Sequence, residues 1–166
     1  MNSGFLLVRL LLGGYLAAHG VQKLFGWFGG HGLAGTGGFM ETLGFRPGKL
    51  FALAAGLCEG LGGVLVVLGL LGPIGPALII VAMVVAMGAV HLKNGFFAAS
   101  NGVEMPLAWA TCAVAVAFYP GRYSLDTALG LALNGAWVVR ITIVVAVLIA
   151  LGNLLLRKPE APAKAA

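Results

Sequence analysis

Charge is what this chain lacks. Only 9% of its residues are Asp, Glu, Lys or Arg, where water-soluble folds carry roughly 25%, so an ordinary soluble domain is excluded. The shortage is sharper for acids, with five Asp and Glu against ten Lys and Arg and a net charge of +5. Those basic residues are spread along an apolar chain and form no stripe, which argues against nucleic acid as a partner and for a membrane-orientation signal. Cysteine is equally scarce. Cys58 and Cys112 lie in separate apolar runs with no C-x-x-C or ligand spacing, so neither a disulfide framework nor a zinc motif is expected, and no metal site. Ten-residue alternating segments are also missing, and with them the signature of a transmembrane barrel.

What is present is apolar. The 166 residues are 60% hydrophobic, include 27 glycines and have a mean hydropathy of +1.03. That is one domain's worth of chain, long enough for four or five membrane helices of ~20 residues. Apolar runs broken by charges and Gly/Pro clusters predict helices near 4–25, 50–71, 75–92, 105–119 and 135–156. Residues 1–156 thus read as one all-α, polytopic transmembrane helix bundle. The first run has no basic leader and carries Arg9 inside its apolar stretch, so it reads as a retained span and not a secretory signal. Gly72-Pro73-Ile74-Gly75-Pro76 predicts the tight turn of a helical hairpin. The fourth run would cover only ~22 Å and needs its flanks or a thinned bilayer to cross. Residues 157–166, Pro/Ala-rich and poor in apolar side chains, are expected to form a disordered tail.

Five spans place Lys23, Arg46, Lys49, Lys93, Arg157, Lys158 and Lys164 on one side and leave Arg122 on the other, with Arg9 and Arg140 in the apolar runs near it. The positive-inside rule then puts the N-terminus outside and the C-terminus in the cytoplasm.

The few ionisable residues inside the runs are not scattered. Antiparallel threading brings His19, Lys23, Cys58, Glu59, His91, Glu104 and Cys112 to one depth, toward the predicted cytoplasmic face. Tyr15, His19 and Lys23 follow a spacing of four and share a helix stripe. Glu59 is flanked by Gly56, Gly60 and Gly63, a small-residue face on which a second helix can come close and donate to the carboxylate. Ionisable groups in a bilayer invite a functional reading with a named partner. For Glu59 that reading is a proton acceptor or ligand anchor; the bland alternative is a structural bond to Lys23 or a backbone amide. A single membrane histidine near a helix end is usually an interfacial hydrogen-bonding residue, but His19 and His91 together beside Glu59 point to a site. Haem ligation by the two histidines has no supporting motif. Buried cysteines are usually inert small hydrophobes, and Cys58 and Cys112 are read so. At the other depth lie Arg9, Arg122, Asp126 and Arg140, expected to snorkel and to share one ion pair, Arg9 or Arg140 with Asp126.

Gly30, Gly32 and Gly35 match G-x-G-x-x-G literally. The dinucleotide reading is rejected, because a transmembrane helix and not a strand precedes them. With Phe25, Trp27 and Phe28 alongside, the segment reads as an interfacial belt and a compact loop able to cap the polar layer.

Several ordered motifs carry a resemblance. Arg9-Leu10-Leu11-Leu12-Gly13, His19-Gly20 with Lys23-Leu24-Phe25-Gly26, and Gly32-Leu33-Ala34-Gly35-Thr36 with Phe39 come first. Cys58-Glu59, His91-Leu92-Lys93-Asn94-Gly95-Phe96-Phe97, Glu104-Met105-Pro106-Leu107 and Gly121-Arg122-Tyr123-Ser124-Leu125-Asp126 follow. Over residues 5–126 the chain resembles the DoxX family of bacterial membrane proteins. The resemblance implies a four-helix membrane bundle with a redox association, named after a subunit of thiosulfate:quinone oxidoreductase; the run 135–156 would be a fifth helix beyond that core.

The resulting expectation is a redox-associated subunit of the bacterial inner membrane that binds a quinone-like or other small apolar molecule in the polar layer. His19, Glu59 and His91 would exchange protons, with Tyr15, Lys23, Asn94 and Glu104 around the ligand and Arg9, Gly56, Gly60, Gly63, Arg122 and Asp126 as structural supports. No flavin, haem or cluster motif is present, so electrons would pass to or from a soluble oxidoreductase partner. A small-metabolite carrier gated by Glu59 and a scaffold associating through Gly56-x-x-x-Gly60 are the alternatives. Whether the chain is catalytic, and its oligomeric state, are left open by the sequence.

Overall fold

The computed structural model describes residues 2–158, which leaves most of the expected C-terminal tail, 159–166, outside the described residues. The described residues are helical, with no strand among them. The long helices are α1 (Asn2–Phe25), α3 (Gly48–Leu68), α4 (Ile74–Ala86), α5 (Glu104–Phe118) and α7 (Ala136–Leu155). Two short helices, α2 (Gly32–Thr42) and α6 (Leu125–Ala128), lie in the connections. Four spans are long and apolar enough to cross a bilayer: α1, α3, α7, and α4 continued through Asn94. The expected bundle of five long helices is present, and the chain is a multi-pass membrane protein.

Each boundary has a local cause. α1 stops where Gly26 takes φ +77°, α3 begins after Pro47, and α3 ends at Gly69, whose left-handed φ of 60° closes the last turn. The predicted hairpin turn is therefore seen, begun slightly earlier than the Gly/Pro cluster. α4 does not end at Ala86. It passes into a π-helical turn, Met87–His91, and then a 3-10 turn, Leu92–Asn94. α5 remains short, at 15 residues. Its flanks do not lengthen it; they fold over its end, with the amides of Val103 and Glu104 donating to the carbonyls of Gly95 and Phe96.

α1 packs most extensively on α3, α4 lies between α3 and α5, and α7 leans on the outside of α4. The α1–α3 crossing is close because both helices offer glycine. A Cβ on Gly63 would lie 2.5 Å from the Gly13 carbonyl oxygen, and one on Gly20 would overlap the Gly60 backbone. The apolar core is built from Leu12, Leu16, Val66, Ile79, Ile80, Met83, Ala113, Val116 and Ala146. Without a water-driven hydrophobic effect between membrane helices, tight van der Waals packing of this kind holds the bundle.

The two ends of the bundle differ. At the end holding the N-terminus of α1, Arg9 is buried to 1% exposure and donates to the carbonyls of Val66 (2.9 Å), Val67 (2.7 Å), Pro120 (3.0 Å) and Tyr123 (2.6 Å). Asp126, also buried, accepts from the amides of Leu71 (3.0 Å) and Gly72 (2.6 Å). Together they sew the α3–α4 turn to the 120–126 segment. The snorkelling expected of Arg9 is corrected here, as is its ion pair with Asp126: four of the guanidinium's five donors are taken by backbone carbonyls, and the carboxylate is occupied by amides. Arg140 lies over the Trp137 ring instead (5.1 Å), and Arg122 is exposed.

Candidate functional site

The opposite end is hollow. A cavity of about 490 Å³ opens between the C-terminal half of α1, the N-terminal half of α3, the end of α4, the start of α5 and the end of α7. Its walls are mainly apolar: Phe51, Ala54 and Ala55 from α3, Val81, Met83 and Val85 from α4, Met105, Pro106 and Trp109 from α5, and Ile149 from α7. The polar lining is a short set, His19, Lys23, Cys58, Glu59, His91 and Asn153. The volume and this mixture of apolar wall with a few polar groups are those of a small-molecule site. A shallower depression of about 640 Å³ at the sewn end carries Arg122 and Asn134 on its lining but none of the clustered titratable side chains.

The five long helices reach the chamber because alternate spans run in opposite directions, so the end of one meets the start of the next. Glu59 is buried among the small residues of α3, and Lys23, on α1, forms the single salt bridge among the described residues with its Oε2. The glycine crossing brings Lys23 within reach: Gly20, one turn earlier, lies against Gly56 and Gly60. Oε1 of Glu59 has no hydrogen-bond partner among the described residues. His19 stands in a ring cluster with Tyr15 (4.8 Å) and Trp109 (5.7 Å), themselves 4.9 Å apart, and its ring nitrogens have no protein partner among the described residues. His91 closes the π-helical turn, and its Nδ1 lies 2.9 Å from the Asn101 carbonyl oxygen. π-helical turns of this sort are frequent at functional sites.

Other residues expected at the ligand stand elsewhere. Tyr15 reaches the chamber only through His19 and Trp109 and is about half exposed. Asn94 donates to the carbonyls of Val90 and Asn101, sharing the latter with His91, so it orients the loop that orients the histidine. Glu104 accepts from the amide of Ala98 (2.7 Å), closing the 95–104 loop, and Cys112 is exposed on the outer face of α5. Gly56, Gly60 and Gly63 form the surface on which α1 lies.

Several contributors carry no motif. The Gly-rich segment expected as a capping loop is the helix α2, and its Phe39 and Met40, with Leu43 and Phe45 beyond it, form a wall of the chamber. Arg157, counted in the sequence only for its charge, holds the end of α7 in place. It donates to the Leu43 carbonyl (2.9 Å) and the Gly88 carbonyl (3.4 Å) and lies 5.5 Å from the Phe45 ring, while the Lys158 amide donates to Gly44. A cation in the last turn is a weak sequence signal for such a role. Trp109 was legible only as a large aromatic one turn from Met105.

These features define a class: a multi-pass membrane helix bundle closed at one end and hollow at the other, with an ion pair and two histidines on the wall of the hollow. The DoxX family model matches residues 4–92, a little over half of the chain, and the protein belongs to that family. α5 and α7 lie beyond the matched residues. No curated protein and no solved structure matches the chain.

Proposed function

We propose that the protein is a redox-associated subunit of a bacterial inner membrane that binds a quinone-like ring in the chamber and works with a soluble oxidoreductase. The observation that carries this reading is the convergence of His19, Lys23, Glu59 and His91 on one largely apolar cavity. Apolar walls suit a ring and its hydrocarbon tail, and the polar groups suit its oxygens.

On this reading the chain's own residues do three things. The walls exclude water. His19, Glu59 and His91 exchange the protons that accompany electron transfer, as general acids and bases must when a ring hydroxyl forms or is lost. Lys23 holds Glu59, and Tyr15 and Trp109 hold His19. The quinone-like ring, when bound, supplies the electron-carrying chemistry.

The distribution of basic residues supports a hollow end that faces the cytoplasm. Lys23, Arg46, Lys49, Lys93, Arg157 and Lys158 lie on helix ends or connections at that end, and Arg122 and Arg140 at the other. A soluble partner would thus meet the protein on the chamber side. The carrier reading is less well supported, since the Arg9 and Asp126 bonds close the far end of the bundle. Scaffolding through Gly56-x-x-x-Gly60 is disfavoured because α1 already covers that face.

The test is to extract the protein in native lipid discs and identify lipophilic co-purifying molecules by mass spectrometry, beside a His19→Ala, His91→Ala double variant. The expected result is a quinone-class ring in the wild type that the variant lacks. A well-folded wild type that carries none and binds no added short-chain quinone refutes the proposal.

A further inference from the structure

Once Lys23 has taken Oε2 of Glu59, two acceptors on the chamber wall remain open, while Lys23 keeps two N–H donors of its own. Glu59 is 6% exposed, lines the cavity and keeps Oε1 without a partner among the described residues. The Asn101 carbonyl facing His91 Nδ1 can only accept, so Nδ1 carries a ring hydrogen, and Nε2 is the nitrogen that offers a lone pair when the ring holds a single proton. Two acceptors on different helices, α3 and the end of α4, are therefore left without a protein partner on residues that line a mostly apolar chamber. His19 brings one further donor and one further acceptor.

A ligand that satisfies both acceptors must bring hydrogen to them. We propose that the chamber grips its ring through hydroxyl groups, one donating to Glu59 Oε1 and one to His91 Nε2, and so holds the dihydroxy form in preference to the corresponding dione. This rests on the ring-binding reading above and adds the oxidation state that the site selects. A dione can accept from the spare N–H groups of Lys23 or from His19, but it offers nothing to Glu59 or His91. An apolar amine also donates, yet it sets a second positive charge beside Lys23. A hydroxyl avoids both defects, since it donates to the carboxylate while its oxygen accepts from the ammonium.

The experiment compares binding of trimethylhydroquinone, kept reduced under anaerobic ascorbate, with binding of trimethylbenzoquinone to the full-length protein in lipid discs by titration calorimetry. The wild type is expected to bind the hydroquinone at least about tenfold tighter, the worth of one well-made hydrogen bond to a buried acceptor. His91→Phe removes one acceptor and is expected to cut the preference to about threefold or less, a change of roughly 0.7 kcal/mol or more by the same conversion. The double variant Lys23→Met, Glu59→Leu removes the other acceptor without stranding a charge and is expected to do the same. The wild-type pair decides by itself, so a variant that misfolds does not rescue the idea. Equal affinity, or tighter binding of the dione, overturns the hydroxyl grip and leaves the ring-binding reading standing. Failure of both compounds to bind overturns both.

Discussion

Replacing Arg9 by Leu tests the sewn end of the bundle quantitatively. The guanidinium serves four carbonyls. Val66 keeps a second donor, the Gly69 amide at 3.1 Å, but no other donor to Val67, Pro120 or Tyr123 is found among the described residues. Three part-buried carbonyls stripped of their donor, at ~1–2 kcal/mol each, put the loss near 3–6 kcal/mol. Arg9→Lys keeps the charge but loses the planar fork that reaches four acceptors at once, and should fall between Arg9→Leu and wild type. The assay is reversible unfolding in bicelles by SDS titration, followed by circular dichroism. Asp126→Ala acts on the same seam through the Leu71 and Gly72 amides, so its effect should combine with Arg9→Leu non-additively, with a coupling above about 0.5 kcal/mol. An Arg9→Leu loss below about 1 kcal/mol would show that water or lipid replaces the guanidinium, and would sink the argument.

Three further outcomes follow from other parts of the fold. Gly20→Ala sets a methyl group on the Gly60 backbone and should cost about 1–3 kcal/mol in the same unfolding assay, whereas Gly14→Ala, with nothing within 4 Å, should not destabilise; equal effects would disprove the close crossing. Lys23→Met strands the Glu59 carboxylate in a buried site and should cost ~3–5 kcal/mol, most of it recovered in Lys23→Met, Glu59→Leu; a double variant no better than the single would mean that the pair is not what stabilises the site. Arg157→Ala frees the end of α7 from Leu43 and Gly88, so a lipophilic maleimide should alkylate Cys58 in the chamber several-fold faster while Cys112 on the outer face is unchanged; unaltered Cys58 kinetics would count against Arg157 as a latch.

Depth in the membrane was legible in the sequence, and direction around each helix was not. Alternating spans fix which residues share a level, and His19, Lys23, Cys58, Glu59 and His91 all line the chamber. Glu104 and Cys112 share the level yet point elsewhere, one into its own loop and one outward. The helix α2 escaped because four glycines in eleven residues read as a loop; tertiary packing overrides that propensity, with Gly48 of α3 lying directly against Gly37. Arg9 was misplaced because its partners are backbone carbonyls, which have no letter in a sequence.

The π-helical turn at Met87–His91 widens α4 just where it meets the chamber. In a regular helix each residue advances the side-chain direction by about 100°. A turn that takes in an extra residue therefore acts as an angular offset: everything after it faces a direction that the preceding helix does not dictate. The apolar run from Ile74 to Ala86 is thus free to satisfy the packing against α3, α5 and α7, while His91 is aimed separately. Chain length at this one place, more than the identity of any side chain in the turn, is what points His91, and a family member shorter by one residue here would carry the same histidine on a different bearing.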